Sequence, residues 1–150
     1  MRQHKLLLVL IILVLRSASP FASESDSTSV FKGEILFKQQ SRKLNVFIAA
    51  TPELREKGLM FQTQLSNENG MLFVFETQSI QHVWMKNTLI PLDMLFIKSD
   101  GTILNIAANA KPLSEETIAS DGPVQAVLEI AGGRAAEAGI KPGDKVHHAV

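Results

Sequence analysis

Beyond residue 29 the apolar-rich segments are five to eight residues long, and turn chemistry separates most of them from the next. That length decides the fold class. An amphipathic helix needs about ten or more residues to bury a face, whereas a strand of about five already crosses a sheet. Residues 30–37 alternate, with Phe31, Gly33, Ile35 and Phe37 on one face and Lys32 and Glu34 on the other. The polar stretch 38–43 then turns the chain into a second strand over 44–49, and the pair reads as a hairpin. Residues 71–75 are apolar without interruption, which predicts a strand covered on both faces. Further strands are expected over 80–85, 92–97, 102–107 and 124–130, with Asn69-Gly70 and Ser99-Asp100-Gly101 supplying tight turns.

Only two short helices interrupt this pattern. Thr51-Pro52-Glu53 combines a hydroxyl cap, a proline at the first helical position and a carboxylate at the positive end of the dipole. Gly58 should end that helix after about two turns. A second is expected over 133–138. Residues 111–123, with Pro112 and Pro123, form the longest stretch without a pattern. The expected fold is therefore mostly β, α+β at the margin: a compact β-sandwich or partly closed barrel of about seven to nine strands with two short helices.

The first residues have a different character. Arg2 and Lys5 precede an unbroken apolar run over 6–15, followed by Ser17-Ala18-Ser19. Ten helical residues span about 15 Å, half of a ~30 Å hydrocarbon core, so the run suits a secretory signal better than a membrane span. Residues 1–22 are read as a signal peptide cut after Ala22, residues 23–29 as a disordered polar leader, and residues 30–150 as a single β-rich domain. The protein is thus expected to be exported, periplasmic or secreted; a retained N-terminus would instead tether it to a membrane. Loss of residues 1–22 would take three of the fifteen basic residues and none of the fifteen acidic ones, leaving a net charge of −3.

The chain has no cysteine, which excludes disulfide scaffolds, zinc ribbons and thiol nucleophiles. Balanced charge gives no footprint for nucleic acid. The histidines beyond the leader are His82, His147 and His148, and the last two stand at the chain end, so a Ser–His–Asp arrangement around Ser120 and Asp121 is not supported. No spacing suits a metal ion, and neither metal nor cofactor is expected.

Five blocks carry a resemblance. They are Gly58-Leu59-Met60-Phe61, the run from Gly70 to Phe75, Trp84-Met85-Lys86-Asn87-Thr88, Pro91-Leu92-Asp93, and Val127-Leu128-Glu129 followed by Gly133 and Gly143-Asp144. In order and spacing they resemble the domain of unknown function 192 family over roughly residues 40–147. The resemblance implies a small β-rich fold and no reaction.

Candidate site residues lie inside those blocks. Trp84, the lone tryptophan, is either a large core residue or an aromatic platform for a ligand. Lys86, Asn87 and Thr88 form either a self-bonded turn or a donor-rich patch beside that ring. Asp93 interrupts an apolar strand, where an unpaired carboxylate is costly, so an ion pair with Lys86 or Arg55 is expected. Arg55 itself is either solvated or an anion ligand. These six residues form the candidate ligand site. The expected function is a binding module for a small or polymeric polar ligand of the cell envelope. The alternatives are an enzyme using Lys86 and Asp93, and an envelope interaction protein without a small ligand.

Overall fold

The computed structural model describes residues 31–149, so the signal peptide and leader expected over 1–29 lie outside the described residues. The chain runs β1 (Phe31–Phe37), β2 (Arg42–Ala49), α1 (Pro52–Lys57), β3 (Asn69–Ser79), β4 (His82–Val83), β5 (Leu92–Ile97), β6 (Ile103–Ala110), β7 (Ile118–Ala119), β8 (Val124–Ala131), α2 (Arg134–Glu137) and β9 (Val146–Ala149). Seven strands form one sheet in the order β6-β5-β8-β3-β2-β1-β9, while β4 and β7 pair separately. The sheet curls into a half-barrel, the partly closed form of the expected mostly-β architecture. Among the described residues no helix is long and apolar enough to cross a membrane.

Local chemistry explains most of these elements. Thr51 Oγ1 accepts from the Leu54 amide at 3.3 Å, and Pro52 follows it at the first helical position. Gly58, at φ 45°, ends α1 by donating its amide to the Leu54 carbonyl. The β1–β2 hairpin forms as its alternation predicts. β2 and β3 then run parallel, which requires a crossover, and the segment carrying α1 supplies it.

Two faces of the sheet hold two apolar clusters. One gathers Ile35, Leu44, Val46, Leu72, Leu95, Leu128 and Ile130 beneath α2. The other gathers Met71, Phe73, Met94, Phe96 and Val127 with Leu59 and Met85. Successive residues of β3, β5 and β8 alternate between these clusters, which is why all six residues of β5 are buried.

The strand expected over 80–85 is much shorter. Only His82 and Val83 pair, with Ile118 and Ala119. At Met85 the chain leaves the ladder, because its amide donates to the Ser114 carbonyl at 2.9 Å. The long stretch 111–123 is correspondingly less irregular than its composition suggests, since it contains β7.

Candidate functional site

The cleft forms where α1 and the segment following β4 lean over the second cluster. α1 buries no residue and packs beside β2. Arg55 straps it down: Nη1 donates to the carbonyls of Ala50 at 2.6 Å and Val74 at 2.9 Å. Its guanidinium lies 5.1 Å from the Phe75 ring centroid. Such packing fixes the side chain and removes the entropy cost of ordering it for a ligand.

Three loops close the rim. Phe61 donates its amide to the Asn87 carbonyl at 2.9 Å, and Leu113 donates to Thr88 at 3.0 Å, beside the Met85–Ser114 bond. Asn87 sits at φ 55°, a conformation asparagine tolerates. Phe61 and Leu113 adopt the same region at φ 63°, where bulky side chains are strained, and both remain exposed. Such strain concentrates at functional sites.

The space between α1 and this rim has an inner cavity of about 300 Å³ and an adjoining outer one of about 410 Å³. Trp84, Lys86, Lys57, Glu56 and Met60 line both. Trp84 is 47% exposed, so it is not a core residue, and Lys86 Nζ lies 5.2 Å from its ring centroid. Asn87 faces the outer cavity. Thr88 is buried beside the inner one, its hydroxyl donating to the Lys86 carbonyl at 3.3 Å. The triplet is therefore both the self-bonded turn and part of the rim. Four of the expected residues, Trp84, Lys86, Asn87 and Thr88, come together here with Arg55.

Asp93 does not join them. It is fully buried on the opposite face of the sheet, and no cation among the described residues pairs with it. Its Oδ1 accepts the amides of Asn109 at 2.8 Å and Gly133 at 2.9 Å, and Oδ2 accepts the Ala135 amide at 2.8 Å. The expected ion pair with Lys86 or Arg55 is replaced by three backbone donors that tie β6 and the start of α2 to β5. Lys86 points to the other side of the sheet, and Arg55 is committed to carbonyls.

The acid at the site is Glu129. It lies on β8 opposite Met71 of β3 and Met94 of β5, facing the second cluster, and it forms the floor of the inner cavity. The residue is 6% exposed. Its carboxyl makes no hydrogen bond or ion pair with any described residue, and burial alone pushes its pKa up to about 8. In its protonated form it can donate one hydrogen bond and accept at its other oxygen. The same sequence signal that marks Asp93, an acid inside an apolar strand, was available at Glu129 between Leu128 and Ile130. Among the described residues no three histidines, cysteines or carboxylates gather to hold a metal ion.

A sequence model of the domain of unknown function 192 family, described as an uncharacterised ACR, matches residues 35–148. A protein from Sinorhizobium meliloti 1021, provisionally described as a transcription regulator, is 42% identical. The match covers 82% of this chain and 98% of that one, with a TM-score of 0.77. A protein of unknown function from Novosphingobium aromaticivorans DSM 12444 is 38% identical, covering 88% of this chain and 98% of its own, with a TM-score of 0.73. No curated protein matches.

Proposed function

Since the chain belongs to the domain of unknown function 192 family, which brings a fold without an activity, we propose from the site itself that it is a binding domain for a small polar ligand. The observation that carries this reading is the floor of the cleft. A buried carboxyl with no partner among the described residues opens onto a cavity walled by Leu59, Phe73 and Phe75. Unpaired buried polar groups cost stability, and their retention beside a cavity marks a place where a ligand completes the bonding. Trp84 and Lys86 at the mouth supply an amphipathic platform, and Arg55 a fixed cation.

The basic stub and apolar run at the N-terminus support work outside the cytoplasm, on a ligand of the cell envelope. Mass spectrometry of the protein from its source cell should find a chain beginning within a few residues of Ser23. An intact Met1 in the membrane fraction would replace export with tethering.

One observation favours a second reading, that of an enzyme. A carboxyl that holds its proton near neutral pH inside a cleft is suited to general acid or base work. In that reading Glu129 takes the place that the sequence offered to Asp93.

The lone tryptophan at the mouth is a built-in reporter. A library of envelope metabolites, screened by Trp84 fluorescence and by thermal shift, should yield ligands whose effect Lys86→Ala weakens. If no compound moves either signal, the domain is better read as an envelope interaction protein, with the exposed rim of Phe61, Trp84 and Leu113 as its contact. Conversion of a bound compound by wild type but not by Glu129→Gln would select the enzyme.

A further inference from the structure

We propose that the inner cavity takes the carboxylate end of a small ligand with an apolar body, held between the carboxyl of Glu129 and the guanidinium of Arg55. This rests on the binding reading above and names the class of ligand.

Three observations converge on it. First, Glu129 is more than nine-tenths buried, faces the cavity and is bonded to no described residue. Its flanking strands present Met71, Phe73 and Phe75 of β3 and Leu92, Met94 and Phe96 of β5 on that side. An acid held neutral by such surroundings offers a proton and calls for an acceptor. Second, the charged groups facing the cavity are Arg55, Glu56 and Lys57 of α1 and Lys86, with His82 of β4 as a further titratable group. With Glu129 in its acid form, the cations Arg55, Lys57 and Lys86 face one carboxylate, Glu56. An ammonium ligand would meet a positive wall, whereas an anion would meet a positive wall and a donor. Third, Arg55 is already immobilised through Nη1, and its Nε and Nη2 donate to no described residue. A guanidinium edge held in this way suits a carboxylate.

The floor supplies one acid proton among apolar walls. A carboxylate shares such a proton as an acid–carboxylate pair. A phosphate, with more oxygens and a second charge, would remain under-bonded there. No bond is made or broken; the proton stays on the Glu129 carboxyl, which donates a hydrogen bond to the ligand carboxylate.

The test uses matched pairs of equal apolar body, benzoate against benzylamine and hexanoate against hexylamine, with inorganic phosphate as a further probe. Binding to the purified domain is read by Trp84 fluorescence. The carboxylates should bind and the amines should not. Between pH 7 and pH 9 the wild-type affinity for benzoate should fall about tenfold, as ionisation of Glu129 sets two negative charges against each other. Glu129→Gln keeps a donor that cannot ionise, so its affinity should vary less than about twofold over that interval. Glu129→Leu, which removes the donor without adding a charge, should weaken benzoate binding at both pH values. Tighter binding of the amines, or of phosphate, overturns the ligand class and leaves the binding reading standing. So does a pH dependence that persists in Glu129→Gln. If no probe binds at millimolar concentration while library compounds do, the carboxylate assignment falls alone. If nothing binds at all, both fall.

Discussion

Replacing Asp93 by alanine removes the acceptor of three main-chain amides at once, those of Asn109, Gly133 and Ala135, all within 2.9 Å. The site is fully buried, so water cannot take the place of the lost oxygens without opening the structure. Bonds to a charged acceptor contribute roughly 1.5–3 kcal/mol each, and a stranded buried donor costs about 1–3 kcal/mol, so three amount to roughly 4–9 kcal/mol. That is a large fraction of the ~5–15 kcal/mol that stabilises a typical domain. Asp93→Asn separates the terms. Its amide oxygen can keep Asn109 and Gly133, while its NH2 group faces the Ala135 N–H, donor against donor. One bond of three is lost, at roughly 2–3 kcal/mol. Urea melts of wild type and both variants, with equal slopes, should show midpoints falling in the order wild type, Asn, Ala. Hydrogen exchange should speed up at the amides of 109, 133 and 135 before it does elsewhere. An alanine variant within about 1 kcal/mol of wild type would refute the account, as would an asparagine variant no better than alanine. Either result would mean that these amides find other partners.

Three further outcomes are expected. Glu129 has a folded pKa of about 8 against an ordinary value of 4.5, so between those values the unfolded chain releases a proton that the folded one keeps. Stability is therefore full below pH 4.5 and declines as pH rises towards 8, by a few kcal/mol in all; Glu129→Gln should flatten that decline in melts run from pH 4 to 9, and an unchanged slope would show that the carboxyl is solvated. Lys86→Ala should cost no more than about 1 kcal/mol, because its recorded partner is the ring of a half-exposed tryptophan; a loss of about 3 kcal/mol or more in a denaturant melt would point to a buried counter-ion. Gly70→Ala would set a Cβ 2.8 Å from the Glu129 carbonyl and 3.0 Å from Leu44 Cδ2. Backbone cannot move aside cheaply, so a thermal melt should show a loss of about 1–3 kcal/mol, and a neutral variant would contradict the close approach of β3 to β8.

Much of the molecule was legible in the residue string, because its causes are local. The cap at Thr51, the proline after it and the glycine that ends α1 act within one or two turns of chain. The alternation of β1 and the unbroken apolar run over 71–75 in β3 follow from a side-chain period of two and from burial on both faces. The blocks that mark the family are read directly. What neighbours the chain brings from afar was decided by tertiary structure. The segment 80–85 has strand-like residues, yet the Ser114 carbonyl captures the Met85 amide and ends the ladder. Trp84 has the hydrophobicity of a core residue, and only the placement of its loop over α1 leaves it exposed. Asp93 and Glu129 present the same one-dimensional pattern, an acid within an apolar strand. They face opposite sides of one sheet. On the first side the amides of Asn109, Gly133 and Ala135 arrive, 16 to 42 residues away along the chain, and complete the bonding. On the second side methionines, phenylalanines and an open cavity arrive, and the carboxyl keeps its proton. A carboxyl group's chemistry is set by solvation and by what it bonds to, and for both of these acids that was supplied by residues distant in sequence.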